Sequence, residues 1–378
     1  MLKRTDSAAI TAAMIVALAT MSASAAVLED PAQGTPEIQS IDVISFAPEG
    51  VLLIGDGKGT QVFAVATGDT KAGDGLGHPI DNIGAELAAA VGATLKDVEI
   101  IDMAVNPASS RAYFAVRRQD TKSNLILTVD GAGDIDEFAL EDVTHARIPL
   151  LERGSKVQVK TITDVAWVDD RVVAAGRSNE TFSSKIFSVY APLKHDKSST
   201  GYSAETYHVS HGKWENKAPM SVVMPLKEGD QTYIVGAFSC TPVVKYPLDS
   251  LQPDAVVKGS SVIELGSGNR PLDMFSYQKD GKSYVLSNTF RFHHKRKAFG
   301  PSPYWTVRFE QSLLMGDEQI NKDAVRRLGG GYKPITDRIQ MIEAYHGVAQ
   351  MDRLDDSRAL VLRTVEGGDF NLEPLPLP

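Results

Sequence analysis

Cysteine is nearly missing from this chain. Cys240 stands alone among 378 residues, so no disulfide can close within it. No CxxCH occurs, which excludes covalent c-type haem. There is no GxSxG nucleophile elbow and no Walker loop. Gly329-Gly330-Gly331 leads into a strand pattern rather than a helix, so it is not a phosphate cradle. After residue 26 no apolar run is long enough to cross a bilayer as a helix. Basic charge is also short. Lys and Arg total 39 against 48 Asp and Glu, a net charge of −9, which argues against a nucleic-acid partner.

The first 26 residues read as a secretory signal. Lys3 and Arg4 give a positive start, Ala8 to Thr20 form a short apolar core, and Ala23-Ser24-Ala25 is a small-residue cleavage site. The expectation is a signal peptide over 1–26 and one domain over 27–378, periplasmic or secreted, with no transmembrane anchor. A lone thiol in an oxidising compartment is buried, is a ligand, or pairs with a partner.

What the chain does have is a repeat. Six stretches each run from a polar or small residue through an apolar strand and a turn into a second, almost wholly apolar strand. They begin at Asp42, Asp102, Asp164, Ser221, Asp273 and Gly347, at spacings of 60, 62, 57, 52 and 74 residues. Hairpins repeating at this period predict an all-β, six-bladed β-propeller. Seven blades is the alternative, because the 74-residue interval has room for one more. Alternating Val, Ile, Tyr and Phe bounded by turn residues predict four strands per repeat. In the third these are 160–168, 171–176, 184–191 and 205–210; in the fourth, 220–226, 232–238, 242–247 and 256–265. The fifth reads 272–277, 284–287, 305–309 and 335–344. One segment breaks the rhythm: Asp81 to Gly92, with an Asp cap, an alanine-rich body and a closing Gly, predicts a short inserted helix. The last repeat runs out of strands after 371–375, so residues 35–41 are expected to complete it and cover its open edge.

Antiparallel order puts the loops after the second strand and the crossovers after the fourth on one face of the ring. The candidate residues fall mostly there. Asn179, Glu180, Trp214, Glu215, Asn269, Arg270 and His346 form the candidate ligand-binding set. An Arg fork beside Asn269 suits a carboxylate or phosphate, unless it pairs with Asp273 or Glu264 as a brace. His208, His211 and Cys240 form the candidate metal set, with Zn or Cu as the metal and Glu180 or Glu215 as added carboxylates. The basic loop holding Arg291, His293, His294, Lys295, Arg296 and Lys297, with Phe292 between, is the candidate docking patch for an acidic partner or anionic surface.

The segments Ile162 to Ala166, Ser178-Asn179-Glu180, Tyr207 to Gly212, Cys240-Thr241-Pro242 and Glu264 to Met274 resemble an exported bacterial β-propeller family of unassigned function. More distantly, the repeat is similar to NHL, YVTN and lactonase-type propellers. That resemblance implies a propeller fold, used by some members as an enzyme with a channel Ca²⁺ and by many as a binding scaffold. The Glu/Asn/Asp set of the calcium lactonases is not evident here, and three tryptophans do not make the docking pattern of a quinoprotein propeller. Two functions remain in view. One is a platform that binds a small molecule or protein at one mouth of the ring. The other is a metal-dependent hydrolase or oxidoreductase using His, Glu and Cys at that mouth.

Overall fold

The computed structural model describes residues 26–239, 242–252, 255–266, 268–292, 294, 300–326 and 338–378. The signal-like residues 1–25 lie outside them. The chain opens with strands β1 (Ala32–Gly34), β2 (Val43–Ala47), β3 (Val51–Asp56) and β4 (Gln61–Ala66), then helix α1 (Ile83–Ala90). Next come β5 (Val98–Val105), β6 (Ala112–Arg118), β7 (Asn124–Val129), β8 (Ile135–Phe138) and β9 (Val143–Pro149). The middle holds β10 (Val159–Val168), β11 (Arg171–Ser178), β12 (Ser184–Tyr190), β13 (Thr200–His208) and β14 (Lys213–Glu215). It continues as β15 (Met220–Glu228), β16 (Gln231–Phe238), β17 (Pro242–Pro247) and β18 (Val256–Glu264). The last third contains β19 (Asn269–Lys279), β20 (Lys282–Arg291), β21 (Tyr304–Glu310), β22 (Val325–Arg326), β23 (Ile339–Met341), β24 (Val348–Arg353), β25 (Arg358–Thr364) and β26 (Phe370–Pro376).

The fold is all-β in a propeller-like arrangement. Four sheets stand apart: β1-β9-β4-β3-β2, β5-β6-β7-β8, β19-β20-β21-β23 and β24-β25-β26. The fifth is ten-stranded, β10-β11-β12-β13-β18-β17-β16-β15, with β14 on β13 and β22 on β18. Six separate blades are therefore not confirmed. The third and fourth repeats run together into a nearly closed, barrel-shaped sheet, because their outer strands pair in parallel from Ser203–Val256 to Thr206–Gly259. That pairing satisfies two strand edges that separate blades would leave open. Among the described residues the long interval after β19 forms no further sheet of its own: β22 leaves it to pair with β18, and 293, 295–299 and 327–337 lie outside them.

The order around the ring also departs from expectation. Strand β2 packs beside β5 on one side and β10 on the other; β10, β15, β19 and β24 follow in turn, and β24 returns to β5. The second sheet sits between the first and the last because its whole sequence is inserted between β4 and β9, two strands of the first sheet. An apolar cluster backs each junction. Val43, Leu53 and Val62 meet Val165 and Phe187 at one; Leu360 and Leu372 meet Phe114 and Leu127 at another.

Closure differs as well. Residues 35–41 do not complete the last sheet; Gln39 and Ser40 donate their N–H groups to Asp56. Ile80 instead exchanges backbone hydrogen bonds with Leu372, and α1 packs on β26. The helix forms where the sequence predicts it, but its cap is remote. Asn82 at the N-cap makes no side-chain bond, and the N–H groups of Gly84 and Ala85 donate to the Asp369 carboxylate at 2.8 and 3.1 Å.

Candidate functional site

The six innermost strands line a central channel of about 1240 Å³. Just inside it, five aspartates reach across to neighbouring strands. Asp42 accepts from the Ile162 amide at 3.1 Å, Asp164 from Val223 at 2.5 Å, and Asp273 from Met351 at 2.9 Å. Asp352 accepts from Val105 at 2.8 Å and Asp102 from Ile44 at 2.7 Å. Local sequence sets this up. The inner strands carry a register shift beside the acid, between Ile100 and Asp102, Ile162 and Asp164, and Pro271 and Asp273. A bulge of this kind re-aims the next side chain, here inward. The fourth repeat has Ser221 instead, hydrogen-bonded to Ser239 at 2.8 Å, and among the described residues no carboxylate latches β15 to β19.

Burial pushes Asp102 and Asp164 up to about 8 and Asp352 up to about 6, against the hydrogen bonds that favour their ionised forms. Asp273 and Asp42 are raised for the same reason. Mutual repulsion adds to it, Asp102 facing Asp164 and Asp352. All five residues are half-buried and line the channel.

The mouth where the inner strands begin is basic. Arg117, Arg177 and Arg270 come from three different sheets and all line it. Arg117 donates to the Ile41 carbonyl at 3.3 Å and lies 3.8 Å from Glu99. Arg177 and Arg270 are exposed, and neither has an ion-pair partner among the described residues. The bracing pairs of Arg270 with Asp273 or Glu264 are not formed. Phe292, 53% exposed, adds an aromatic edge to the same mouth.

Of the sequence-derived ligand set, Arg270 alone is in the channel lining. Asn269 is fully buried; it donates to the carbonyls of Leu265 and Gly266 and accepts from Trp305 Nε1 at 3.1 Å. Asn179 braces the end of β11 by accepting from the Gln158 amide, and Glu180 pairs with Lys185 at 2.6 Å. Trp214 packs edge-to-face on Tyr207. His346 is half-buried, which pulls its imidazole below the usual value, and its carbonyl accepts from Arg363. In the docking loop Arg291 is buried, with its guanidinium 4.6 Å above the Trp305 ring, and His294 is half-buried. His293, Lys295, Arg296 and Lys297 lie outside the described residues, as does Cys240.

His208, His211 and Glu215 are brought together on the β13–β14 hairpin. Thr206 and His208 share a face of β13 by the two-residue period, and Glu215 sits opposite Thr206 in the ladder. His211 folds back from the turn, closed by Gly212 at φ +64°, so that the two imidazole centroids are 3.9 Å apart. One donor atom from each of the three residues lies within 4.8 Å of the others, a grouping that could bind a metal. The His208 imidazole, 3.5 Å away, holds the Glu215 carboxyl down at about 2, helped by the amides of Ala218 and Lys217 and opposed by burial.

Reading the sequence for sites missed the aspartates and Arg117. The recurring Asp of the repeat was the available signal, since a polar residue held in one position of an apolar strand has a reason to be there.

No protein-family model matches the chain, and no curated protein matches it, so the family resemblance finds no support there. Solved structures with similar backbones include Drosophila semaphorin 1a, extracellular domains 1–2, at TM-score 0.43 and 10% identity over 93% of this chain and 88% of that one. The PQQ-bound aldose sugar dehydrogenase of Streptomyces coelicolor has TM-score 0.33 and 11% identity over 92% and 99%. The GH43 endo-arabinanase of Bacillus licheniformis has TM-score 0.34 and 10% identity over 82% and 96%. Likeness at this level assigns no function.

Proposed function

We propose that this chain is an exported, six-bladed ring, one domain over 27–378, that binds a small anionic molecule at the basic mouth of its channel. The observation that carries the reading is the convergence of Arg117, Arg177 and Arg270 from three sheets on one cavity, two of them without an acidic partner among the described residues. Planar guanidinium forks suit a carboxylate or phosphate group. Among the acids below the mouth, Asp102 and Asp164, pushed up to about 8 by burial, hold their protons near neutral pH, which reduces the negative charge facing these guanidiniums. Phe292 offers a flat apolar face for the rest of the ligand. Lys295, Arg296 and Lys297, which lie outside the described residues, would add positive charge that attracts acidic ligands or partners.

The test is a thermal-shift and calorimetric comparison of small carboxylates and phosphates at low ionic strength. The wild type and the Arg177→Ala/Arg270→Ala variant are measured side by side. Both side chains are exposed, so the fold should persist. A ligand that stabilises the wild type should bind the variant at least roughly 10- to 100-fold more weakly, and added salt should weaken it further. Equal binding by the two proteins, or no anion bound at all, overturns the reading. Export is checked by the mass of the protein secreted with its own leader, which should lack 1–26.

A further inference from the structure

The β13–β14 hairpin carries chemistry that the channel does not use, since none of His208, His211 and Glu215 lines it. We propose that these three residues form a site for a zinc-class divalent cation, with one coordination position left open to water or an added ligand.

Four features of the structure support this. The Nδ1 of His208 is buried and has no hydrogen-bond partner, though the residue is only 2% exposed. It lies 3.5 Å from Glu215 Oε2. On the opposite edge of the ring, Nε2 faces Glu264 Oε2 at 3.5 Å. Glu264 is itself buried and immobilised, accepting from the amides of Val209 and Ser210 and from the Ser210 hydroxyl. A carboxylate behind one imidazole nitrogen fixes the proton there and leaves the other lone pair for a metal.

Glu215 is oriented in the same way. Its Oε1 accepts from the amides of Lys217 and Ala218, at 2.9 and 3.0 Å, which leaves Oε2 turned toward His208. His211 is exposed on the turn and supplies the solvent-facing side of the site. Metal bonds of about 2.0–2.2 Å place tetrahedral donors about 3.4 Å apart; His208 Nδ1 and Glu215 Oε2, 3.5 Å apart, already have that spacing, and the His211 donor, within 4.8 Å of the group, must supply the remaining approach. The exposed His211 turn is the part free to move. Two imidazoles and one carboxylate select Zn²⁺, Co²⁺ or Cu²⁺ over Ca²⁺ and Mg²⁺, which require mostly oxygen. Three protein donors leave a tetrahedral ion one open position.

The occupant that competes with a metal is a proton, which would make His208 an imidazolium held between Glu215 and Glu264. The two are told apart with the mature chain, prepared without a histidine tag, stripped with chelator and titrated with Zn²⁺ and Co²⁺. One equivalent of Co²⁺ should bind with the intense visible bands of four-coordinate cobalt, and Zn²⁺ should displace it. His211→Ala and Glu215→Gln should each weaken binding at least roughly 10-fold. His211 lies outside the core, so its variant should keep the wild-type circular dichroism. The Arg177→Ala/Arg270→Ala variant should bind metal normally, which separates this site from the channel. The proposal fails if no metal binds the wild type, if His211→Ala binds as tightly, or if the cobalt spectrum is that of six-coordinate surface binding. It also fails if His208 only exchanges a proton, seen as an NMR titration of its ring unaffected by Zn²⁺.

Discussion

Asp102, Asp164 and Asp352 are each held in two opposing ways: backbone amides favour the carboxylate, while burial in the ring favours the acid, and burial wins. Their folded-state values of about 8, 8 and 6 exceed the unfolded value of about 3.9. Between those limits the folded chain binds more protons than the unfolded one. Their contribution to stability is thus complete below about pH 4 and is lost as pH rises through about 6 and then about 8. Glu215 and Asp355, held at about 2, act in the opposite sense, but their contribution is lost only as pH falls below the ordinary carboxylate range. The Tm should therefore fall from about pH 5 to about pH 9 in calorimetry, and Asp164→Asn should flatten that slope. A wild-type Tm that rises over this interval would show that burial does not dominate. The same ionisation should weaken anion binding at the mouth as pH rises through about 8, because the carboxylates below it then repel the ligand. At this scale the sequence displays the repeating acid, but not which amide it meets. Asp42 and Ile162 are 120 residues apart.

Strands and helix were legible to different degrees. The expected 242–247 matches β17 residue for residue, and 171–176 falls short of β11 by two residues, because alternation and turn chemistry are local properties. The outer strand expected at 335–344 is only Ile339–Met341 among the described residues. Helix α1 illustrates the limit. Its alanine-rich run is visible in sequence, yet its cap is Asp369, 285 residues from Gly84. Asp369→Ala should lower stability by about 0.5–2 kcal/mol, the range for a lost helix cap. Asp81→Ala, which removes the cap suggested by sequence, should change it by less than about 0.5 kcal/mol. Denaturant unfolding of the two variants checks both. The reverse ranking would mean that α1 is capped locally in solution and is not anchored to β26.

The ring as a whole depends on how sheets meet. The Asp352 carboxylate joins the last sheet to the inserted second sheet, at the point where the chain order is interrupted. Asp352→Ala leaves the buried amide of Val105 unsatisfied and should cost about 1–3 kcal/mol, read as a lower midpoint in chemical denaturation. No loss would mean that apolar packing of Phe114 and Leu127 against Leu360 and Leu372 closes the ring unaided. Sequence by itself determined the β class, the six hairpins, the inserted helix and the shortage of strands at the end of the chain. Each of these follows from side-chain period and turn chemistry within a few residues. Tertiary structure alone decided that the second repeat sits inside the first, that two repeats merge through β13 and β18, and that three arginines meet at one mouth. Those outcomes depend on which strand edges and side chains find partners tens to hundreds of residues away, and a local pattern carries no record of them.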